Sequence, residues 1–217
     1  MSIVAKAKEL LNQVLSAYEE EKTIYNSLTS FVIDGIEAES LTVNIPFSMN
    51  SLENLYRNSL KINSLILKKT TGNNIKKIYF NQANSFIKKI VLELDCSSLY
   101  LFNISGLIKI TTIENVNFPL IADYYNIFPN SVIDVSFVAD TISPKVVYYT
   151  LDFSDNENFS ILTISSLCNA VQALTEEDIS ENGGYGIIAF SSKVFSLITD
   201  ELSEAFLAKG WEVFDNG

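Results

Sequence analysis

Histidine is absent from these 217 residues, arginine occurs once (Arg57), and there are only two cysteines and four prolines. Without histidine, the Ser-His-Asp and Cys-His nucleophile systems are excluded, as are most zinc sites. The only side chain that titrates unperturbed near neutrality is also missing. Catalysis would have to come from carboxylates, lysine, tyrosine or an oxygen-ligated metal. Cys96 and Cys168 are too few and too far apart for a disulfide framework, so two free thiols in an intracellular protein are expected. No stretch approaches the roughly 20 apolar residues that cross a bilayer. The opening MSIVAKAKELLNQVL has a helical period and a polar face rather than a signal-peptide core. These absences point to a cytoplasmic protein with no membrane segment.

The residues present, 47% hydrophobic and 19% charged, are those of a globular chain. Its net charge of −11 repels nucleic acid and anionic lipid and attracts a basic partner. The charge is segregated. Arg57, Lys61, Lys68, Lys69, Lys76, Lys77, Lys88 and Lys89 form a block without a single acid, between acidic flanks.

Residues 2–28 predict an amphipathic helix, with Val4, Ala7, Leu11, Val14 and Tyr18 at spacings of three and four and Tyr25 and Leu28 rejoining the stripe. Ile3, Leu10, Ala17 and Ile24 widen the stripe, which suits docking on the helix's own domain or pairing with another helix in a homo-oligomer. A shorter helix is expected at 50–62. From 64 to 113 the period becomes two. LILKK-TTGNN-IKKIYF reads as a hairpin turning at Gly72, Asn73 and Asn74, and 88–95, 99–104 and 107–113 extend an antiparallel meander. A helix opening at Pro119, strands at 132–140 and 145–153, a helix from 161 to 174, a helix at 192–209 and a last strand at 211–214 complete the reading. No internal repeat is visible. The expected fold is α+β, a single domain over 1–217 with a weak boundary at 114–130. Its antiparallel β-sheet, in one large or two sections, would be packed by N-terminal, middle and C-terminal helices.

Gly183-Gly184-Tyr185-Gly186 does not read as a phosphate loop. Such a loop follows a strand and opens a helix. Here Thr175 caps a short acidic helix before the glycines and a strand follows them, so they are a helix stop.

The candidate interaction residues fall in two groups. Lys68, Lys69, Lys76 and Lys77, with Tyr79 and Phe80 beside them, suit a projecting or edge hairpin, a contact with acidic regions, or base stacking; nucleic acid is disfavoured by the single arginine and the acidic C-terminal region. Glu176, Glu177, Asp178 and Glu181, then Asp200, Glu201 and Glu204, form acidic helical clusters, as do Glu19, Glu20 and Glu21. Each suits either a solvated face or a patch for a basic cleft. Asp152, Asp155 and Glu157 are the best candidates for a hard cation, although the EF-hand pattern fails. Glu93 and Asp95 share one strand face as a candidate carboxylate pair. No catalytic or cofactor motif is found.

The sequence therefore supports a non-enzymatic cytoplasmic interaction protein that masks a basic partner, as an inhibitor, immunity protein or chaperone does. The alternatives are a structural or assembly component of a virus, phage or other oligomer, and a carboxylate- or metal-dependent enzyme.

Overall fold

The structure is a computed structural model that describes residues 3–28, 30–57, 59–69, 75–118, 128–142 and 150–217. The N-terminal stripe folds as a single helix, α1 (Ile3–Ser27). Beyond it the chain winds into coils, most of which contribute one strand to each of two sheets. β1 (Glu37–Asn44) is followed by β2 (Ser51–Glu53), β3 (Lys61–Lys68) by β4 (Lys77–Tyr79), and β5 (Lys89–Glu93) by β6 (Leu101–Asn103). β7 (Thr112–Val116) and β8 (Asp134–Phe137) extend the first sheet. That sheet has the order β1-β3-β5-β7-β8, and the second runs β2-β4-β6.

Every pairing in these sheets is parallel, so the expected antiparallel meander is wrong. Strand alternation reports which face is buried and carries no information about strand direction. The expected hairpin at 64–80 fails for the same reason. β3 and β4 lie in different sheets, each paired with the coil before and the coil after; the turn at Gly72, Asn73 and Asn74 lies outside the described residues.

The register exposes a repeat that the sequence conceals. Partners Glu37↔Lys61, Ser64↔Lys89, Lys89↔Thr112 and Thr112↔Asp134 are 24, 25, 23 and 22 residues apart. That period belongs to a solenoid, in which each coil contacts only its neighbours. Its signature is an apolar-x-x-apolar step ending in a third apolar residue. Ile62-x-x-Leu65-x-Leu67, Ile87-x-x-Ile90-x-Leu92 and Val132-x-x-Val135-x-Phe137 show it in the first sheet, and Ile75-x-x-Ile78-x-Phe80 and Leu99-x-x-Phe102-x-Ile104 in the second; all fifteen residues are buried. Stacking aligns them in ladders, such as Leu41–Leu65–Ile90–Ile113–Val135 across the first sheet. Truncating one such aliphatic to alanine typically costs about 2–5 kcal/mol.

Asparagine joins successive coils at their corners. Asn84 Nδ2 donates to Leu60 O at 2.9 Å while its Oδ1 accepts from Phe86 N and Ile87 N. Asn117 bridges Leu94 O and Cys96 N in the same way. Asn54 Oδ1 accepts from Asn81 N and Gln82 N. Buried Asn156 donates to Pro129 O at 3.1 Å and Val132 O at 3.2 Å. Gly106 sits where coils approach most closely, since a Cβ there would lie 2.3 Å from Gln82 O.

Towards its C-terminus the chain changes form. β9 (Thr150–Phe153), α2 (Ile161–Ala170), α3 (Glu176–Asn182), β10 (Gly186–Phe190), α4 (Ser192–Phe195), α5 (Asp200–Leu207) and β11 (Trp211–Asp215) follow in order, with a parallel third sheet β11-β10-β9. α2 lies along the free edge of β8, and its hydroxyls complete that strand's hydrogen bonding. Thr163 Oγ1 accepts from Val135 N at 2.8 Å and donates to Ile133 O at 2.9 Å. Ser166 Oγ accepts from Phe137 N at 2.7 Å, and Ser160 Oγ donates to Asp134 at 2.5 Å. Gly183, at φ 74°, ends α3 with Thr175 and Asp178 forming a capping box at its start, as the sequence indicates. Buried Trp211 lies against Gly186, where a Cβ would come within 2.5 Å of the indole.

Two helix expectations need correction. The segment expected as a helix at 50–62 holds β2 and a bridge from Tyr56 to Ile33, because its Leu52, Leu55, Tyr56 and Leu60 serve stacked coils rather than one helix face. The expected helix 192–209 is two, since Thr199 caps α5 anew through a bond from Leu202 N. Most of the helix opening at Pro119, and strand residues 145–149, lie outside the described residues. One hydrophobic cluster runs from Val43 to Trp211. Among the described residues no helix is long and apolar enough to cross a membrane.

The α2 hydroxyls give a direct stability test. Thr163→Val leaves the buried Val135 N–H without its partner, while Ile133 C=O keeps the bond from Ser160 N at 2.9 Å, and is expected to cost about 1–3 kcal/mol. Thr163→Ser, which keeps the oxygen, should recover most of that in urea unfolding.

Candidate interaction surface

Half of the basic block pairs across the stack, through Lys61–Glu37 at 3.5 Å, Lys68–Glu93 at 3.3 Å, Lys77–Glu53 at 3.0 Å and Lys89–Glu114 at 2.6 Å, while Arg57 and Lys88 are exposed. Exposed pairs of this kind contribute little individually, and here they match each coil to its neighbour. Hydrogen bonds from Lys77 and Ser51 hold the Glu53 carboxyl below its ordinary range. The Lys69 ammonium donates to Met49 O, and burial lowers its pKa. Lys76 is exposed.

Tyr79 carries Lys77 at 5.2 Å from its ring centroid and accepts a bond from Asn81 at 2.8 Å. Phe80 is fully buried edge-on to Tyr56, so it is a core residue and offers no surface for base stacking. The Glu93 and Asp95 pair dissolves into local contacts. Glu93 meets Lys68, and Asp95 Oδ1 accepts from Ser97 N at 2.9 Å.

The acidic clusters fare differently. Glu176, Glu177 and Glu181 on α3 and Asp200, Glu201 and Glu204 on α5 are exposed, whereas Asp178 is buried in the capping box with Thr175. Bonds at the start of α5, first to its own backbone and then to Thr199, hold Glu201 below its ordinary range. The segments flanking the two helices are joined, Leu174 N before α3 donating to Lys209 O after α5 at 2.8 Å.

The third sheet adds what the sequence reading did not identify. Its register places Thr150, Ile187 and Glu212 in one row and Asp152, Ala189 and Phe214 in another. Ile188 and Leu151 point into the core, while Ile187 (38%) and Phe214 (43%) are exposed, so two large apolar side chains stand outward among acids. Nothing in the all-apolar stretch 186–190 marks Ile187 as exposed, and Phe214 likewise carries no polar label.

For the cation candidates, Asp152 Oδ1 accepts from Ser154 N and Oγ at 2.9 and 2.7 Å. Asp155 and Glu157 are exposed, and Glu157 N donates to Asn130. Among the described residues no group of three or more His, Cys, Asp or Glu is placed to hold a metal ion. A cavity of about 200 Å³ at the first coils is lined by Ser30, Phe31, Met49, Ser51, Glu53 and Leu55. Its one carboxylate is the Glu53 already paired with Lys77.

Cys96 and Cys168 are free and buried. Burial raises both thiols, with Asp95 adding to the shift at Cys96 and Lys209 opposing it at Cys168; burial also raises the Tyr56 phenol. No protein-family model, curated protein or solved structure matches the chain.

These groups are neutral when folded and ionise more readily when unfolded. Their contribution to stability is therefore full below the unfolded pKa values, about 8.5 for Cys and 10 for Tyr, and is lost as pH rises through the higher folded values. Urea midpoints should hold steady up to about pH 8 and fall above it. A thiol reagent at pH 7.5 should label neither cysteine until the protein unfolds; prompt labelling of either would contradict this burial.

Proposed function

We propose that the protein is a non-enzymatic binding protein whose acidic C-terminal end docks on and masks a basic protein. The observation that carries this reading is the third sheet's outward rows, where exposed Ile187 and Phe214 stand with Glu212 and Asp152 on neighbouring strands. Association of this type has two stages. Acidic groups such as Glu176, Glu177, Asp200, Glu201 and Glu204 accelerate encounter, and burial of apolar anchors then sets residence time. The reading includes a cytoplasmic location, supported by two unpaired cysteines in a chain without a disulfide. The charge of residues 150–217 supports it too, since acids far outnumber Lys193 and Lys209 there and most of them are exposed.

The test is affinity capture from the native host, with bound proteins identified after low-salt and high-salt washes. One basic protein lost at high salt is the expected outcome. Its association rate should fall at least about tenfold between 50 and 500 mM salt. Phe214→Ala should leave that rate nearly unchanged and speed dissociation. An association rate indifferent to salt would overturn the reading.

A further inference from the structure

α1 is the one long helix of the described residues, and every described side chain from Glu9 to Glu20 is exposed, including Leu10, Leu11, Val14, Leu15 and Tyr18 at 53–65%. A stripe that merely covered a domain would be buried here. The spacing shows what it fits instead. Val4, Leu11, Tyr18 and Tyr25 occupy one heptad position of the helix, and Ala7, Val14 and Glu21 the other, with Leu28 in register just past its end. A strict seven-residue repeat of this kind is matched to a second helix wound around it with the same repeat.

The same chain supplies that repeat, and the apolar area is sufficient. The five exposed side chains offer roughly 500 Å² per copy, so a pair approaches the ~1,000 Å² that marks a specific interface before the remaining heptad positions are counted.

The charges select the orientation. In a parallel pair, each heptad position meets its own copy, and Glu21 would face Glu21 within the apolar seam. In an antiparallel pair it faces the other position, which holds Val4, Leu11, Tyr18 and Tyr25, all uncharged. Antiparallel packing also sets the end bearing Lys6 and Lys8 alongside the end bearing Glu19, Glu20 and Glu21, whereas parallel packing places like charges together. The helix is about 37 Å long, so antiparallel pairing also carries the two solenoids to opposite ends.

We infer that the protein is a homodimer held by an antiparallel two-helix coiled coil of α1. The inference is independent of the basic-partner reading. Light scattering after size exclusion should give twice the 24.2 kDa chain mass. Val14→Glu, at an exposed position, should reduce the species to a monomer while the thermal unfolding of the solenoid is unchanged. Orientation is read from single nitroxide labels on Ser16→Cys and on Lys6→Cys in the native protein, where Cys96 and Cys168 are buried. Labels at 16 lie near the centre of an antiparallel pair and should be close, with those at 6 farther apart along the axis by roughly 10–30 Å. Equal short distances at both positions would mean a parallel coil. A monomeric mass, a mass of three or more copies, or a dimer that survives Val14→Glu would equally overturn the proposal.

Discussion

The stack depends on what happens to backbone hydrogen bonds at its last edge. Parallel coils satisfy one another's N–H and C=O groups indefinitely, but the final strand always leaves one row open. Here that strand is β8, and α2 with its cap closes it mainly with side chains, Ser160 N adding a backbone bond to Ile133 O at 2.9 Å. Thr163 serves one donor and one acceptor, Ser166 serves Phe137 N–H, and Ser160 both caps α2 and reaches Asp134. A helix repeats every 3.6 residues and a strand every two, so the match at 160, 163 and 166 against 133, 135 and 137 holds for only two turns. That brevity explains why the chain abandons its regular coil at this point and builds the third sheet with its own helices. At the opposite edge, β1 pairs with β3 alone among the described strands and carries charge: Glu37 is tied to Lys61, and Glu39 accepts from Asn63 at 2.7 Å.

Inside those limits, charge and asparagine set the order of the coils. The acid-free coil of β3 and β4 lies between two acid-bearing coils, so four of the block's eight bases find a carboxylate on a neighbouring coil. The asparagines at 54, 84, 117 and 156 are the corner pieces. Each has the short reach and the paired donor and acceptor needed to hold two turns of backbone at once.

The elements with local causes were legible in the sequence. The helix of residues 2–28, the Thr175 cap, the Gly183 stop, and strands at 186–190 and 211–215 are each specified by neighbours within a few residues. Strand direction and partner depend on contacts 22–26 residues away, and nothing in Ile90-x-Leu92 distinguishes an antiparallel neighbour from a stacked coil. The repeat stayed hidden because only its apolar skeleton recurs, while turns and surface positions vary freely. Helix 192–209 was overextended because its apolar spacing continues through Thr199, where a hydroxyl restarts the helix. The acidic residues of the candidate surface could be read from the sequence, unlike its apolar members. Ile187 and Phe214 belong to ordinary strand alternation, and their exposure follows only from which side of the third sheet the core occupies.

Stacked coils also respond to load in a particular way. Their inter-strand hydrogen bonds run along the solenoid axis, so tension applied through α1 at one end and β11 at the other pulls each coil away from the next in peeling geometry. The bonds between neighbouring coils then break junction by junction, beginning at the β1 end of the first sheet, where the described residues place no counterpart to α2. Such a body yields as a series of short extensions rather than in one rupture, and the helix-closed end is the last to lose its shape.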